Sequence, residues 1–467
     1  MNHFDMVVIG CGVGGYNTAL RASQLGMRVA CVERAAHIGG TGMRTGCFPS
    51  RLLLHASARY DLARRNEDAQ FGIDCIPTLD FARLMVHKTA TINTLSDHAL
   101  RLLTARGVTL IDGHARLGGP GTVIVDGAQG TQQTLTANAI VIATGSEPIA
   151  LAGVPFDHAR ILDSADALSL DRIPRQLAIV GAGAVGVELG SIWHRLGAQV
   201  TLVERRDRIC HWLDREVSAA LHRALRRQGI GILLSAEVAG IETRPEGVSV
   251  QMRAPRTQAV STLDADFALV AIGRKPALAG LDLASVGLAH AEARGIVPRR
   301  GPATAVQGLW CVGDAAPGPM LMSRAEEEAI ACAELIAGLP GFVDYAAIPV
   351  VLYTRPEVAM IGKTEEALRA AGVPYRVGRC ALSANAHAII QRTPNGFAKL
   401  LVDSRTNLIA GAHLIGTGAA DLVSQVAVGM EASMICEDFA RVCHPYPAWS
   451  EALRQAAMAA GGWMMHA

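Results

Sequence analysis

Two glycine-rich turns, and the acids that follow them, carry the strongest chemical signal in the chain. Gly10, Gly12 and Gly15 form a G-x-G-x-x-G run, and Gly181, Gly183 and Gly186 repeat it. The first glycine of such a run permits a tight turn, the second lets backbone approach a pyrophosphate, and the third brings helix and strand close together. A helix N-terminus behind the turn supplies partial positive charge. Glu33 and Glu204 follow their runs at the same interval, where a carboxylate meets the hydroxyl pair of a ribose. One such run is weak, because glycine-rich turns are common in α/β proteins. Two in register, each with its acid, read as two dinucleotide sites. Two sites in one chain imply electrons passing between two cofactors, most simply NAD(P)H and FAD.

The surrounding pattern supplies the elements that must hold these residues. Met6 to Ile9 is an apolar strand running into the first turn, a helical pattern follows to Leu25, and a second strand over Arg28 to Val32 ends on Glu33. Leu177 to Val180, a helix to Leu196 and a strand over Gln199 to Val203 repeat the βαβ unit. Buried strands at Ala139 to Thr144, Phe267 to Gly273 and Leu309 to Val312 end in small-residue turns that carry Gly145, Gly273 and Asp314. Such turns lie at the carboxyl edge of a parallel sheet, where ligands bind. Beyond about residue 340 the texture changes to alternating strands, such as Val350 to Tyr353 and Ala398 to Val402, with two helices, which predicts a separate α+β domain.

Composition narrows the function classes. The 467 residues exceed one core, and half are apolar, which excludes global disorder. Lys+Arg 43 against Asp+Glu 42 leaves no basic excess for nucleic acid or anionic membrane. The ten cysteines show no C-x-x-C and no zinc-type spacing, and read as mostly buried thiols of a reducing compartment. No apolar run is long enough to span a bilayer and the N-terminus runs straight into a strand, so a cytoplasmic protein is expected.

At this level the chain resembles the FAD-dependent pyridine nucleotide–disulfide oxidoreductases, most of all their dihydrolipoamide dehydrogenase branch. The resemblance spans the whole chain. It rests on Gly39-Gly40-Thr41 with Gly46-Cys47-Phe48-Pro49-Ser50, on Gly186-Val187-Glu188-Leu189-Gly190-Ser191, and on Gly313-Asp314 with Gly318-Pro319-Met320-Leu321. It continues through Tyr353-Thr354-Arg355-Pro356-Glu357, Gly411-Ala412-His413 and Cys443-His444-Pro445. The fold it implies is α/β, with two Rossmann-like dinucleotide-binding domains and a C-terminal α+β dimerisation domain. The expected boundaries are residues 1–148 and 267–342 for FAD, 149–266 for NAD, and 343–467 for homodimerisation, with each active site borrowing groups from the partner. The resemblance further implies FAD contacts at Gly10, Gly12, Gly15, Glu33, Gly40, Thr41, Arg51, Ala115, Thr144, Gly145, Asp314, Met320 and Leu321. It implies NAD contacts at Gly181, Gly183, Gly186, Glu204, Val238 and Gly273. Arg51 stands for a flavin-proximal Lys, with Glu188 as its expected partner. Arg324 and Ser323 stand for a Lys and a His, which signals no new chemistry.

Two departures matter more than the matches. The family opens its active-site helix with two cysteines separated by four residues; here Cys47 is the second and Gly42 holds the first position. A disulfide requires Cα atoms within about 7 Å, and the nearest cysteines along the chain are Cys31 and Cys75. The family also pairs a proton-shuttling His with a Glu five residues later. Here Glu451 is present, but Tyr446 occupies the His position. Tyr, with a pKa of about 10, is a poor shuttle near neutrality. His444 reads as structural, with a substitute base as the alternative. Cys47, expected near a helix N-terminus that favours thiolate, reads either as a one-thiol centre or as a vestige packed on the flavin.

The function expected is therefore a dihydrolipoamide-dehydrogenase-like flavoprotein that oxidises NADH and passes electrons to a small acceptor such as a quinone, dye or oxygen. Catalytic positions are Cys47, Tyr446, Glu451 and Glu188; no metal site is expected. Glu204 repels a 2′-phosphate and favours NADH, while Arg205 and Arg206 are placed to neutralise it. Three alternatives stand: a functional dihydrolipoyl dehydrogenase, a Cys47-based peroxide or persulfide reductase, and a non-catalytic flavin-bearing assembly subunit.

Overall fold

The computed structural model describes residues 2–254, 258–289, 291, 295–299 and 301–466. The chain divides into two compact units, one of residues 1–52, 80–149 and 273–343, the other of residues 53–79, 150–272 and 344–467.

The first unit is built on a seven-stranded sheet. Strands β1 (Asn2–Ile9), β2 (Val29–Glu33), β3 (Thr109–Asp112) and β6 (Gln132–Ile142) run parallel in the order β3-β2-β1-β6. β4 (His114–Leu117) and β5 (Thr122–Asp126) extend it antiparallel beyond β6. β17 (Leu309–Cys311) pairs parallel with the end of β6. β1 is apolar on both faces, as a covered parallel strand must be. Val7 and Ile9 enter one core with Leu117, Leu135 and Leu281, while Met6 and Val8 enter another with Ala19, Leu103 and Cys332. Helices α1 (Val13–Gln24), α3 (Phe81–Ala105) and α7 (Met322–Ile336) cover it, and a short ribbon pairs β7 (Ser146–Pro148) with β16 (Arg274–Pro276). Helix α2 (Cys47–Arg64) begins in this unit.

The second unit holds a parallel sheet in the order β11-β10-β9-β15-β8, formed by β8 (Ile161–Leu162), β9 (Gln176–Val180), β10 (Gln199–Glu204), β11 (Gly231–Leu234) and β15 (Phe267–Val270). With it go α4 (Ser164–Ala167), α5 (Ala184–Leu196), α6 (Arg215–Gln228) and an antiparallel sheet of β12 (Glu237–Arg244), β13 (Gly247–Arg253) and β14 (Val260–Ala265). A further antiparallel sheet, β18-β19-β22-β21-β20, comprises Val350–Leu352, Val358–Gly362, Ile409–Ile415, Phe397–Asp403 and Tyr375–Ala381. Five helices accompany it where the sequence pattern suggested two: α8 (Glu365–Ala370), α9 (Ala386–Ile390), α10 (Ala419–Glu431), α11 (Cys436–Arg441) and α12 (Ser450–Ala460). α8, α9 and α11 are too short to display a helical period. Side-chain caps support two of them: Thr364 accepts from the Ala367 N–H and Asn385 from the Ala388 N–H. Among the described residues no helix is long and apolar enough to cross a membrane.

Candidate functional site

In the first unit, the turn after β1 is shaped by steric necessity. Gly10 has φ +95°, and a Cβ on it would lie 2.6 Å from the Ala143 carbonyl oxygen. A Cβ on Gly15 would run into the Gly10 carbonyl. Gly12 is different, because a Cβ there would meet only the Gly40 Cα, at 3.7 Å. Gly12 is also the N-cap of α1 and supplies no side-chain cap, so no side chain at that position occupies the first-turn N–H groups. Gly39 bridges to Gly12, and Gly40, at φ +55°, packs its backbone against the same residue. Glu33 at the end of β2 accepts the Cys11 N–H at 2.8 Å with one oxygen and the Ala35 N–H at 3.0 Å with the other.

A chain of hydrogen bonds joins the neighbouring turns. The Ser146 hydroxyl donates to Asp314 at 2.6 Å and accepts from Arg274 Nε at 2.8 Å. Arg274 also donates to the Ser146 carbonyl at 2.7 Å and to the Thr41 hydroxyl at 3.4 Å. The loop carrying Asp314, Met320 and Leu321 is pinned from behind by a buried pair. Arg324 donates to Glu328 at 2.9 Å and to the carbonyls of Pro319 and Pro317 at 3.1 and 3.0 Å, while Glu328 accepts the Gly313 N–H at 2.7 Å. Thr144, next to Gly145 at the end of β6, has a buried hydroxyl that finds no partner among the described residues. An orphaned hydroxyl, an open glycine and a helix N-terminus without a side-chain cap suit a polar, phosphate-bearing ligand. Ala115 is buried inside β4, leaving its backbone to make contacts, and Gly273, at φ +142°, accepts the Ile149 N–H.

Cys47 is the first residue of α2 and is exposed; Arg51, one turn on, is exposed too. All ten cysteines are thiols rather than disulfides. Burial pushes the thiols of Cys210, Cys311 and Cys332 well up, and those of Cys380 and Cys436 to about 11, which leaves them inert at neutral pH. Gly42 lies in a single wide turn, Thr41–Thr45, and a Cβ on it would sit 2.9 Å from Met322 Sδ.

The second unit repeats the cradle. A Cβ on Gly181, at φ +101°, would strike the Ala271 carbonyl, and one on Gly186 the Gly181 carbonyl, whereas Gly183 has open space around it. Glu204 accepts the Ala182 and Arg206 N–H groups, each at 2.9 Å. Val238 is a buried residue of β12, beside a break in its register with β13. Glu188 on α5 accepts the Tyr353 N–H at 2.7 Å. Tyr446 is 69% exposed, while Glu451, in the first turn of α12, is buried with its Oε2 lacking a partner among the described residues. The other Glu451 oxygen faces His466 Nε2 at 3.7 Å, and the His466 and Tyr446 rings lie 6.4 Å apart. His444 instead contacts the Val442 carbonyl at 2.8 Å.

Ser146, Arg274 and His466 carry no motif by themselves. Only Arg274, directly after the Gly273 turn, stood beside a signal that pointed to it.

Residues 4–329 match the description "Pyridine nucleotide-disulphide oxidoreductase", and residues 348–457 match the dimerisation domain of the same family. The chain is 46% identical over its whole length to dihydrolipoyl dehydrogenase 3 of Pseudomonas putida, also over all of that protein. It is 47% identical to dihydrolipoyl dehydrogenase 3 of Pseudomonas aeruginosa, covering 100% of this chain and 99% of the relative. Its fold superposes on LpdA from Mycobacterium tuberculosis with a TM-score of 0.90 at 24% identity, covering 98% and 99% of the two chains. With an α/β architecture that holds two glycine cradles and a matched dimerisation domain behind them, the chain belongs to the pyridine nucleotide-disulphide oxidoreductases, enzymes that use FAD and NAD(H).

Proposed function

We propose that this is a dihydrolipoyl-dehydrogenase-like flavoenzyme that has kept NADH oxidation, has lost the disulfide half-reaction, and delivers electrons to a small acceptor such as a quinone, a dye or oxygen. The observation that carries the reading is position 42, where a side chain would meet the Met322 sulfur and where no cysteine stands.

In this reading residues 1–148 and 267–342 hold FAD, 149–266 hold NAD, and 343–467 form a homodimer interface. Bound FAD supplies the ring that accepts hydride. Gly10, Gly12, Gly15, Gly40, Thr41, Arg51, Ala115, Thr144, Gly145, Asp314, Met320 and Leu321 hold it in place. Gly181, Gly183, Gly186, Val238 and Gly273 do the same for NAD. Glu33 and Glu204, each already oriented by two backbone N–H groups, offer their remaining lone pairs to ribose hydroxyls. α1 and α5, whose N-caps are glycine, present first-turn N–H groups to pyrophosphates. Tyr446 stands where the family places an imidazole, so at that position Glu451 lacks the proton-shuttling partner that a dithiol substrate needs.

A second reading, lipoamide turnover with an external thiol in place of the missing sulfur, is favoured by the names of the two Pseudomonas relatives. Steady-state assays of the flavoenzyme separate the two. NADH with dichlorophenolindophenol should turn over at about 1–10³ s⁻¹, with lipoamide at least ~10²-fold slower in the absence of added thiol. Lipoamide turnover as fast as dye reduction would overturn the first reading.

A further inference from the structure

Glu451 and Gln455, one turn apart on one face of α12, are polar yet only 8% and 4% exposed, and the chain beyond the helix accounts for both. Gly461 and Gly462 end α12 and turn the backbone, with Gly462 at φ +79° and the Trp463 N–H donating to the Met458 carbonyl at 3.0 Å. Met464 then packs on the core beneath the helix. The Met465 and His466 N–H groups both donate to Gln455 Oε1, at 3.0 and 3.1 Å. Gln455 thereby fixes the backbone of residue 466, and one turn back along α12 Glu451 Oε1 faces His466 Nε2 at 3.7 Å. The other Glu451 oxygen is buried and finds no partner among the described residues. A buried carboxylate without a donor is costly, and the imidazole is the group placed to answer this one. Its side chain stays 54% exposed, so the ring also meets the outside. Two further titratable groups border the pair. The Tyr446 ring lies 6.4 Å from the His466 ring at 37°. Cys380 on β20 is pushed up to about 11 by burial and then by the Glu451 charge, so its thiol stays neutral.

We propose that His466, positioned by Glu451 and Gln455, is the acid that protonates the acceptor, and that the acceptor is of the quinone class, which takes up a proton with its electrons. This rests on the reading given above, in which Glu451 serves the acceptor, and adds the proton donor and the acceptor class. A carboxylate on one ring nitrogen orients an imidazole, the side chain best suited to move protons near neutrality. Such contacts are often long before a substrate binds. With Nε2 turned to Glu451, Nδ1 is the nitrogen left to carry the proton. A quinone that has received a hydride is a hydroquinone monoanion. That anion takes the Nδ1 proton of the His466 imidazolium, leaving hydroquinone and neutral imidazole, and solvent returns the proton to the ring. In sum, NADH, quinone and one proton become NAD⁺ and hydroquinone. A disulfide substrate stays out of reach, because a base beyond α12 does not replace a sulfur at position 42.

Single-turnover reoxidation of the NADH-reduced flavoprotein tests it. Menadione serves as the proton-taking acceptor, and ferricyanide, which takes electrons alone, as the reference. The ratio of the menadione rate to the ferricyanide rate should fall about 10²-fold in His466→Ala and recover when free imidazole is added. Glu451→Gln, which removes the charge facing the ring, should lower the same ratio. An unchanged ratio in His466→Ala would overturn the proposal, and so would a fall that imidazole does not restore. A second measurement needs no turnover. Exchange of the 465 and 466 amide hydrogens should be slow in the wild type and about tenfold faster in Gln455→Ala. Equally fast exchange in both would overturn the docking of residues 465 and 466 on α12, and the proposal with it. Failure of NADH to reduce the flavin, or of either acceptor to reoxidise it, would overturn the functional reading instead, and amide exchange would still decide the docking.

Discussion

Replacing Lys399 with Met should strongly destabilise the second unit, because one buried ammonium there answers three carboxylates. Lys399 and Asp214 are both almost fully buried, with Nζ 3.0 and 3.1 Å from the two Asp214 oxygens. Nζ also lies 2.7 Å from Glu365 and 3.3 Å from Glu216. Without it, Glu365 keeps Tyr375 at 2.9 Å and Arg369 at 3.1 Å, and Glu216 keeps Arg379 at 2.9 Å. Among the described residues Asp214 then keeps hydrogen bonds from backbone N–H groups alone, Glu216 at 3.0 Å and Glu365 at 3.5 Å, so the cost concentrates on one buried charge. Breaking such a pair from one side costs about 3–5 kcal/mol. Denaturant midpoints followed by tryptophan fluorescence read it, since Trp193 is fully buried on α5 of the same unit. Asp214→Asn added to Lys399→Met removes the stranded charge while keeping a side-chain oxygen for the α6 cap, and should recover more than half of the loss. The pH dependence follows. Burial pushes Asp214 and Glu365 up, but His413 and Lys399 beside Asp214, and the hydrogen bonds from Lys399 and Tyr375 to Glu365, hold both below the ordinary carboxylate range. Their contribution is thus present above about pH 4 and lost as pH falls through the lowered values. Burial lowers Lys399 while Glu365 and Asp214 raise it further, so its contribution is lost only above its ordinary pKa of about 10.4. In Lys399→Met the stranded Asp214 is raised instead, and the deficit against wild type should shrink on acidification towards pH 4. A loss under about 1 kcal/mol, or no recovery with Asp214→Asn, would refute the reasoning.

Two further outcomes are expected. Glu204→Ala removes a charged acceptor for ribose, worth about 1.5–3 kcal/mol, so NADH affinity should fall roughly 10–100-fold. NADPH should gain relative to NADH because Arg205 and Arg206 are exposed beside it; an unchanged NADH/NADPH ratio of kcat/KM would count against Glu204 as the selector. Arg274→Met deletes the bonds to Ser146 and Thr41 and leaves the Ser146 hydroxyl that orients Asp314 without its guanidinium donor, so FAD should dissociate about tenfold faster. Fluorescence of released flavin on dilution measures this, and an unchanged rate excludes the hydrogen-bond chain from cofactor retention.

Features legible in the sequence were those whose physics is local. A glycine that must avoid a carbonyl, as Gly10 avoids Ala143, leaves its mark at one position. A strand buried on both faces, as β1 is, reads as an unbroken apolar run. The chain from Thr41 through Arg274 and Ser146 to Asp314 was not legible, because it joins residues from four segments and each polar type is ordinary where it stands. The same holds for Lys399, which lies in an apolar strand pattern and is paid for by acids on α6 and α8. His466 leaves no mark in the sequence, because the side chain facing the Glu451 carboxylate comes from beyond α12 and not from five residues before it. α8, α9 and α11 span barely one or two turns each, too short for a period, and side-chain caps mark α8 and α9 while α11 has none.

The two acids proposed to bind ribose show how binding and folding would share one device. Glu33 and Glu204 spend one oxygen each on the N–H of the residue between the first two glycines, Cys11 and Ala182, and the other on an N–H two residues beyond themselves, Ala35 and Arg206. The carboxylate therefore clamps the glycine turn to the end of the second strand before any nucleotide arrives. Charge-assisted bonds from N–H groups fix the direction of the carboxylate. In the proposed function a ribose meets an acceptor whose rotamer entropy is already lost, so less of its binding energy goes into ordering the site. It follows that a shorter acid is not equivalent. Asp at either position would reach one N–H group or the ribose but not both, and the loss would appear in the order of the turn as well as in affinity.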